Sequence, residues 1–316
     1  MATPDRLTPV DFPGAVSRET ASGEFVQGRA ARGRMAVSLY ALIDGAAAYV
    51  EPGIEPGIEP GIAPGIDAAG ESAALLPPIL HRAGPIAALI GVVPLSEYCG
   101  ADAAHHLGDL AWLAPRTMHH AAVLRQAMQV SPVYPAPFAT LFASRDSLSA
   151  FMLAHAHTLG EFFRSVAGMA EWELKASACL DNRAALEALA RDAWPDWALL
   201  TPGTRYLRLC RDRPGLVATS RALAQSIAAR LAERLQPPAT ASRRLVLQPA
   251  PESDSGELVG RFALLVPLGD ASLLAQRVQQ LSGEAAGDGI ALALAGPWPP
   301  FSFRPDLPRP APPAEA

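Results

Sequence analysis

Residues 171–176 read EWELKA. Side chains alternate with a period of two along an extended chain, so Trp172, Leu174 and Ala176 share one side and Glu171, Glu173 and Lys175 the other. This is the pattern of a half-buried strand, and it opens a second structural unit. Beyond it the sequence predicts a short helix over about 182–193, a break from Trp194 to Gly203, and a longer helix to about 235. Leu216, Leu223, Ile227, Leu231 and Leu235 mark that helix's apolar face, and Pro237 and Pro238 end it. Two strands at 244–248 and 258–267 follow, then a helix at about 270–282 with Leu274, Val278 and Leu281 inward. A glycine-rich turn leads to a last strand, Ile290 to Ala295. The order β-α-β-β-α-β predicts a ferredoxin-like split βαβ sandwich, with helices on one face of an antiparallel sheet.

The half before Glu171 reads differently. A strand is expected over Ala36 to Ile43, and a hairpin from two apolar runs, Pro78 to Arg82 and Ile86 to Val93, turning at Gly84–Pro85. In a helical region over about 101–129, Leu107, Leu110, Ala114, Thr117, Ala121, Leu124 and Met128 recur at steps of three and four on one face. Pro115 predicts a kink or two segments there. Three prolines between Ser131 and Pro137 predict irregular chain, and Phe138 to Phe142 a short strand. Ser144 is an expected N-cap, with Asp146 in the first turn. The helix it starts, about 146–166, carries Leu148, Phe151, Met152, His155, Leu159, Phe162, Phe163 and Val166 on one stripe that must be buried. The fold class is therefore α+β in two domains, 35–168 and a C-terminal ferredoxin-like βαββαβ domain at 169–304. Residues 1–34 read as a disordered N-terminal extension, 305–316 as a disordered proline-rich tail, and Met35 as an alternative start. The repeat EPGIEPGIEPGIAPGID at 51–67 reads as tandem enlargement of a surface loop, since lengthening a loop costs only about 0.6 kcal/mol per doubling.

Composition excludes several function classes. The 316 residues are 50% hydrophobic and 18% charged, enough for sizeable cores. A net charge of −5 argues against nucleic acid as a partner. The longest apolar run, Pro85 to Leu95, is too short to span a bilayer, and residues 1–34 hold no signal-like apolar run, so a cytoplasmic protein is expected. Cys99, Cys179 and Cys210 form no CxxC pair and suggest reduced thiols. No phosphate loop, dinucleotide fingerprint, nucleophile elbow or HExxH occurs. The pairs His105–His106 and His119–His120 point about 100° apart on a helix, so neither chelates one ion easily. They read as surface or helix-cap residues, and Glu171 with Glu173 as a solvated edge. No catalytic, cofactor or metal residue is assigned, and no enzyme is expected.

One motif is more specific. The chain reads Gly296-Pro297-Trp298-Pro299-Pro300-Phe301-Ser302-Phe303 after its last strand. This resembles the C-terminal signature of the gas vesicle GvpF/GvpL family. Val37 to Leu42, Ala87 to Tyr98, Ala111 to Leu124, Pro135 to Phe142 and Trp172 to Lys175 are similar to further family segments in the same order. One departure is Pro137-Phe138-Ala139-Thr140, where the family reads Arg-Phe-Gly-Thr. A second is His120, where the family carries an acid. The resemblance implies an accessory or minor structural protein of gas vesicle assembly, located at the vesicle. Its implied partners are the hydrophobic shell protein GvpA and other Gvp proteins, and no cofactor is implied. Gly296, Pro297, Trp298, Pro299, Pro300, Phe301 and Phe303 are the candidate interaction or domain-packing motif. The competing reading is a ferredoxin-like small-molecule enzyme or ligand sensor.

Overall fold

In the computed structural model, residues 35–47, 75–99, 103–247 and 256–308 are described. The expectations for 1–34, for the repeat at 51–67 and for 309–316 lie outside them. The chain divides into two compact units, Met1–Gly168 with Pro299–Ala316, and Met169–Trp298. The turn between them is at Gly168, whose φ of 70° suits a residue without Cβ.

The first unit begins with strand β1 (Met35–Asp44), then β2 (Ile79–Ala83) and β3 (Ile86–Pro94). Three helices follow, α1 (Leu95–Tyr98), α2 (Ala103–Gly108) and α3 (Leu110–Met128). Short strands β4 (Val133–Pro135) and β5 (Leu141–Phe142) precede α4 (Arg145–Ala154) and α5 (Ala156–Val166). The antiparallel sheet has the order β2-β3-β1-β4, with β5 also on β1. β1 is buried on both faces, which is why its sequence is an apolar run and not an alternation. On one face Ala41, Ile43, Ala87 and Leu89 meet Val123, Leu124 and Ala127 of α3. The alternate residues Leu39, Leu42, Ala88 and Ile90 are equally buried.

The predicted stripe of the next helix is inward, from Leu148 through Val166. It is broken at His155, which is the C-cap of α4 and the N-cap of α5. Ser144 caps α4 in a reciprocal capping box with Ser147. Pro115 sits inside an unbroken α3 as its sixth residue, where it cannot donate the bond to the Ala111 carbonyl.

The second unit runs β6 (Met169–Ala178), α6 (Arg183–Ala193), a 3-10 turn at Trp197–Leu199, and α7 (Pro202–Glu233). β7 (Ala241–Arg244), β8 (Glu257–Pro267), α8 (Ala271–Gly287) and β9 (Ile290–Trp298) complete it. Asn182 caps α6, and Thr201 caps α7 with Pro202 at its first position. The sheet is antiparallel, in the order β7-β8-β6-β9. Leu174, Ala176, Phe262 and Leu264 of the sheet share one core with Ala228 and Leu231 of α7 and Leu274, Val278 and Leu281 of α8. The first connection holds both α6 and α7, and the second return to the sheet holds α8.

Three expectations need correction here. The strand expected at 244–248 lies instead at Ala241–Arg244, and Val246 is exposed. Leu223, expected inward on α7, is half exposed, and Ala224 and Ala228 take the buried positions. Glu171 and Glu173 are not a solvated edge. β6 is an inner strand, and both carboxylates are buried, at 0% and 2% exposure. Glu173 accepts from Arg261 Nε at 2.6 Å, with Lys175 Nζ at 4.0 Å.

Candidate protein-interaction site

The Gly296–Phe303 motif is divided between the two units. Its first three residues end β9. Glu173 pairs with Ala295 and Glu171 with Trp298, so Gly296 and Pro297 together lie opposite the single residue Trp172. This is a bulge, on an edge strand, where proline is tolerated. Gly296 has a φ of 144°. A Cβ there would lie 2.9 Å from the Trp172 ring and 3.1 Å from the Glu171 carbonyl. Only glycine fits, for both backbone and steric reasons. The motif's glycine is thus explained by the packing of Trp172.

Pro299 and Pro300 are buried, and a tight turn follows in which Phe301 N–H donates to the Pro299 carbonyl at 2.7 Å. Phe301 packs on the core of the first unit, which contains Tyr40, Leu89 and Leu124. The sequence reading ended the second domain at 304, whereas the compact unit ends at Trp298. The tail was also expected to be disordered from 305. Instead Leu307 is buried, Arg304 Nη1 donates to the Pro135 carbonyl at 3.1 Å, and His155 Nε2 donates to the Pro308 carbonyl at 3.1 Å. Tyr134 Oη reaches the Pro305 carbonyl at 3.4 Å. The physical reason is that one leucine among the prolines finds an apolar seat. Trp298, Phe301 and Phe303 are all partly covered, so they form no open aromatic patch.

The family model described as "Gas vesicle synthesis protein GvpL/GvpF" matches residues 23–305. The chain belongs to this family. Gas vesicle protein L2 of Halobacterium salinarum is 31% identical over 198 residues, covering 56% of this chain and 67% of that protein. The crystal structure of GvpF from Anabaena sp. PCC7120 aligns with a TM-score of 0.56 at 15% identity, over 86% of this chain and 97% of that one. GvpF from Microcystis aeruginosa aligns at 0.52 and 15%, over 85% and 99%. At that identity the two structures establish likeness of fold.

The departures from the GvpF/GvpL pattern have visible consequences. Ala139 has a φ of 62°, in the left-handed region, at the third position of a turn closed by Thr140 N–H on the Pro137 carbonyl at 3.2 Å. That position favours glycine, which the family pattern carries. His120 is not a surface residue. It is buried, its Nε2 donates to the Ala136 carbonyl at 3.0 Å, and its ring lies 5.4 Å from Tyr40 and 5.9 Å from Phe138. Burial pushes its pKa down to about 4, against the opposing effect of the Ala136 carbonyl. His119 is also pushed down, chiefly by burial. Tyr40 is the extra residue between the register pairs of β1 and β3, and its hydroxyl fills the space above Gly91, where a Cβ would meet it at 2.7 Å. Burial raises the Tyr40 phenol to about 12, with Tyr98 adding to the rise.

The outward side of α2 and α3 carries apolar side chains that their spacing did not place there. Leu107, Leu110 and Met118 were expected inward or unremarked, yet Leu110 is 73% and Met118 67% exposed. The buried face of α3 is His120, Val123, Leu124 and Ala127. Its N-terminal half instead lies against α1 and α2, where Trp112 meets Tyr98 at 5.3 Å and Arg116 stacks 4.1 Å over Trp112 and pairs with Glu97 at 3.0 Å. That leaves Leu110 and Met118 facing outward on a helix with no carboxylate from Leu110 to Met128. A cleft in the second unit, about 240 Å³ and bordered by Tyr206 and Cys210, has Asp181 and Arg213 already paired with each other.

Proposed function

We propose that this chain is an accessory protein of gas vesicle assembly that acts by contact and not by catalysis. It works at the vesicle or in the surrounding cytoplasm, where it binds the hydrophobic shell protein GvpA and other Gvp proteins. It keeps shell subunits assembly-competent or nucleates the vesicle. The observation that carries this reading is the GvpL/GvpF family match over residues 23–305.

The apolar side of α2 and α3 supports it. A very apolar subunit aggregates in water unless its surface is covered, and covering it takes apolar area, not a set of catalytic groups. Leu107, Leu110 and Met118 offer such area on the first unit. The aromatic motif is engaged within this chain, so its role in this reading is packing, and the partner surface is the helix face. The test is capture of purified GvpA-type protein by the full chain. Leu110→Asp with Met118→Asp should weaken capture about tenfold or more at unchanged melting temperature, since two exposed hydrophobes leave the contact. Unchanged capture by that variant, with loss on folded Trp298→Ala, would move the surface to the motif. No capture by the wild type would sink the binding role.

A further inference from the structure

The segment from Pro299 to Pro308 forms an arm of the chain. It leaves the last strand of the second unit, yet it is seated on the first. Beyond Arg304 its seat is made by side chains. Arg304 donates to Pro135, His155 donates to Pro308, and Leu307 is the apolar plug. No strand pairing is involved, because residues 304–308 belong to no sheet. Beneath it remains a cleft of about 290 Å³, bordered by Leu39, Phe142, Phe151, Phe301 and Leu307 among others. An arm held this way lifts off without breaking either sheet. Four prolines, at 299, 300, 305 and 308, fix much of its backbone, so it loses little conformational freedom on reseating.

We propose that this arm is exchangeable, and that the groove it fills on the first unit accepts the same arm from a second copy of this chain. The groove's chemistry defines its occupant. It takes a proline-rich segment that turns at an aromatic residue and carries, six positions on, a leucine. It also needs carbonyls that accept from the Tyr134 hydroxyl and the His155 ring. A second copy supplies that segment by identity, and exchange of an identical element is a low-cost route to a dimer. The inference stands apart from the shell-binding reading, since it uses neither α2 nor α3.

The test mixes tagged and untagged full-length chain at high concentration, dilutes the mixture, and captures the tag. Untagged chain should be retained, with dimer mass by light scattering that persists through dilution. Leu307→Asp should lower the retained fraction about tenfold or more, by removing the plug. Because that variant can also weaken folding, a second arm keeps the wild-type chain and adds excess synthetic peptide of residues 299–308, which should suppress capture. Wild-type chain that stays monomeric at every concentration overturns the proposal. So does a dimer indifferent to both Leu307→Asp and the peptide, since it must use another surface. Suppression by an unrelated proline-rich apolar peptide as effective as residues 299–308 overturns the second copy as the specific occupant.

Discussion

The two units treat polarity in opposite ways. The first buries neutral polar groups, His120 and Tyr40, inside an apolar core. It leaves Leu110 and Met118 outside on a helix without carboxylates. The second buries a charge pair, Glu173 with Arg261, and its long helix α7 carries exposed Arg–carboxylate pairs such as Arg208 with Asp196 and Arg221 with Glu257. Tyr206 and Leu207 are exposed there too, but among arginines. Leu207 at 68% and Leu273 at 52% are exposed on the second unit's helices as Leu110 and Met118 are on the first, but α7 sets its exposed leucines beside ion pairs, whereas α3 carries no carboxylate.

The largest effect that would sharpen this contrast is in the second unit. Arg261→Leu leaves Glu173 buried, with Lys175 at 4.0 Å as the remaining cation among its ion-pair partners. A loss of about 3 kcal/mol is expected by urea unfolding, because an uncompensated buried charge costs more than the pair contributes. A loss below about 1 kcal/mol would mean that water reaches this face.

Next is acid sensitivity in the first unit. The folded His120 pKa, about 4, lies below its ordinary 6.5. Between those values the unfolded chain binds more protons, so stability is full above about pH 6.5 and falls as pH drops toward 4. The expected loss is about 3 kcal/mol. In His120→Gln the pH slope over that window should flatten. An unchanged slope would assign acid sensitivity to other groups.

Ala139→Gly should stabilise by about 1 kcal/mol, since it relieves a left-handed alanine. Thermal unfolding reads this directly, and a lower melting temperature would contradict the turn geometry. The smallest effect is Arg221→Ala, where an exposed pair should contribute no more than about 0.5 kcal/mol and less at high salt. A larger loss would show that the pairs on α7 stabilise the fold.

Much of this organisation was legible in the chain. β6, β8, α8 and β9 follow their apolar periods, whereas β7 does not, and the stripe from Leu148 to Val166 is inward as its spacing requires. Local pattern could not reveal which neighbour covers a face. The step of three and four through Leu107, Leu110 and Ala114 marks a real stripe, but α1 and α2 take the side of α3 that a single-helix reading gives to solvent. His120 and Glu173 look like surface residues in sequence because their burial depends on distant partners, the Ala136 carbonyl and the Arg261 guanidinium. Leu307 was hidden by its prolines. The motif itself was conspicuous, but its division at Trp298 shows only in the fold, where Gly296 yields to the ring of Trp172 and Phe301 joins a different core.

The central claim is that the first unit's uncovered helix face binds the vesicle shell protein. The most direct measurement is equilibrium binding of purified GvpA-type protein to wild-type chain and to the Leu110→Asp, Met118→Asp double variant, with Leu207→Asp on α7 as the matched control. The prediction is binding by the wild type and the control, and a loss of about tenfold or more in the double variant at equal thermal stability. Equal affinity in all three proteins, or loss in the α7 control alone, would contradict it.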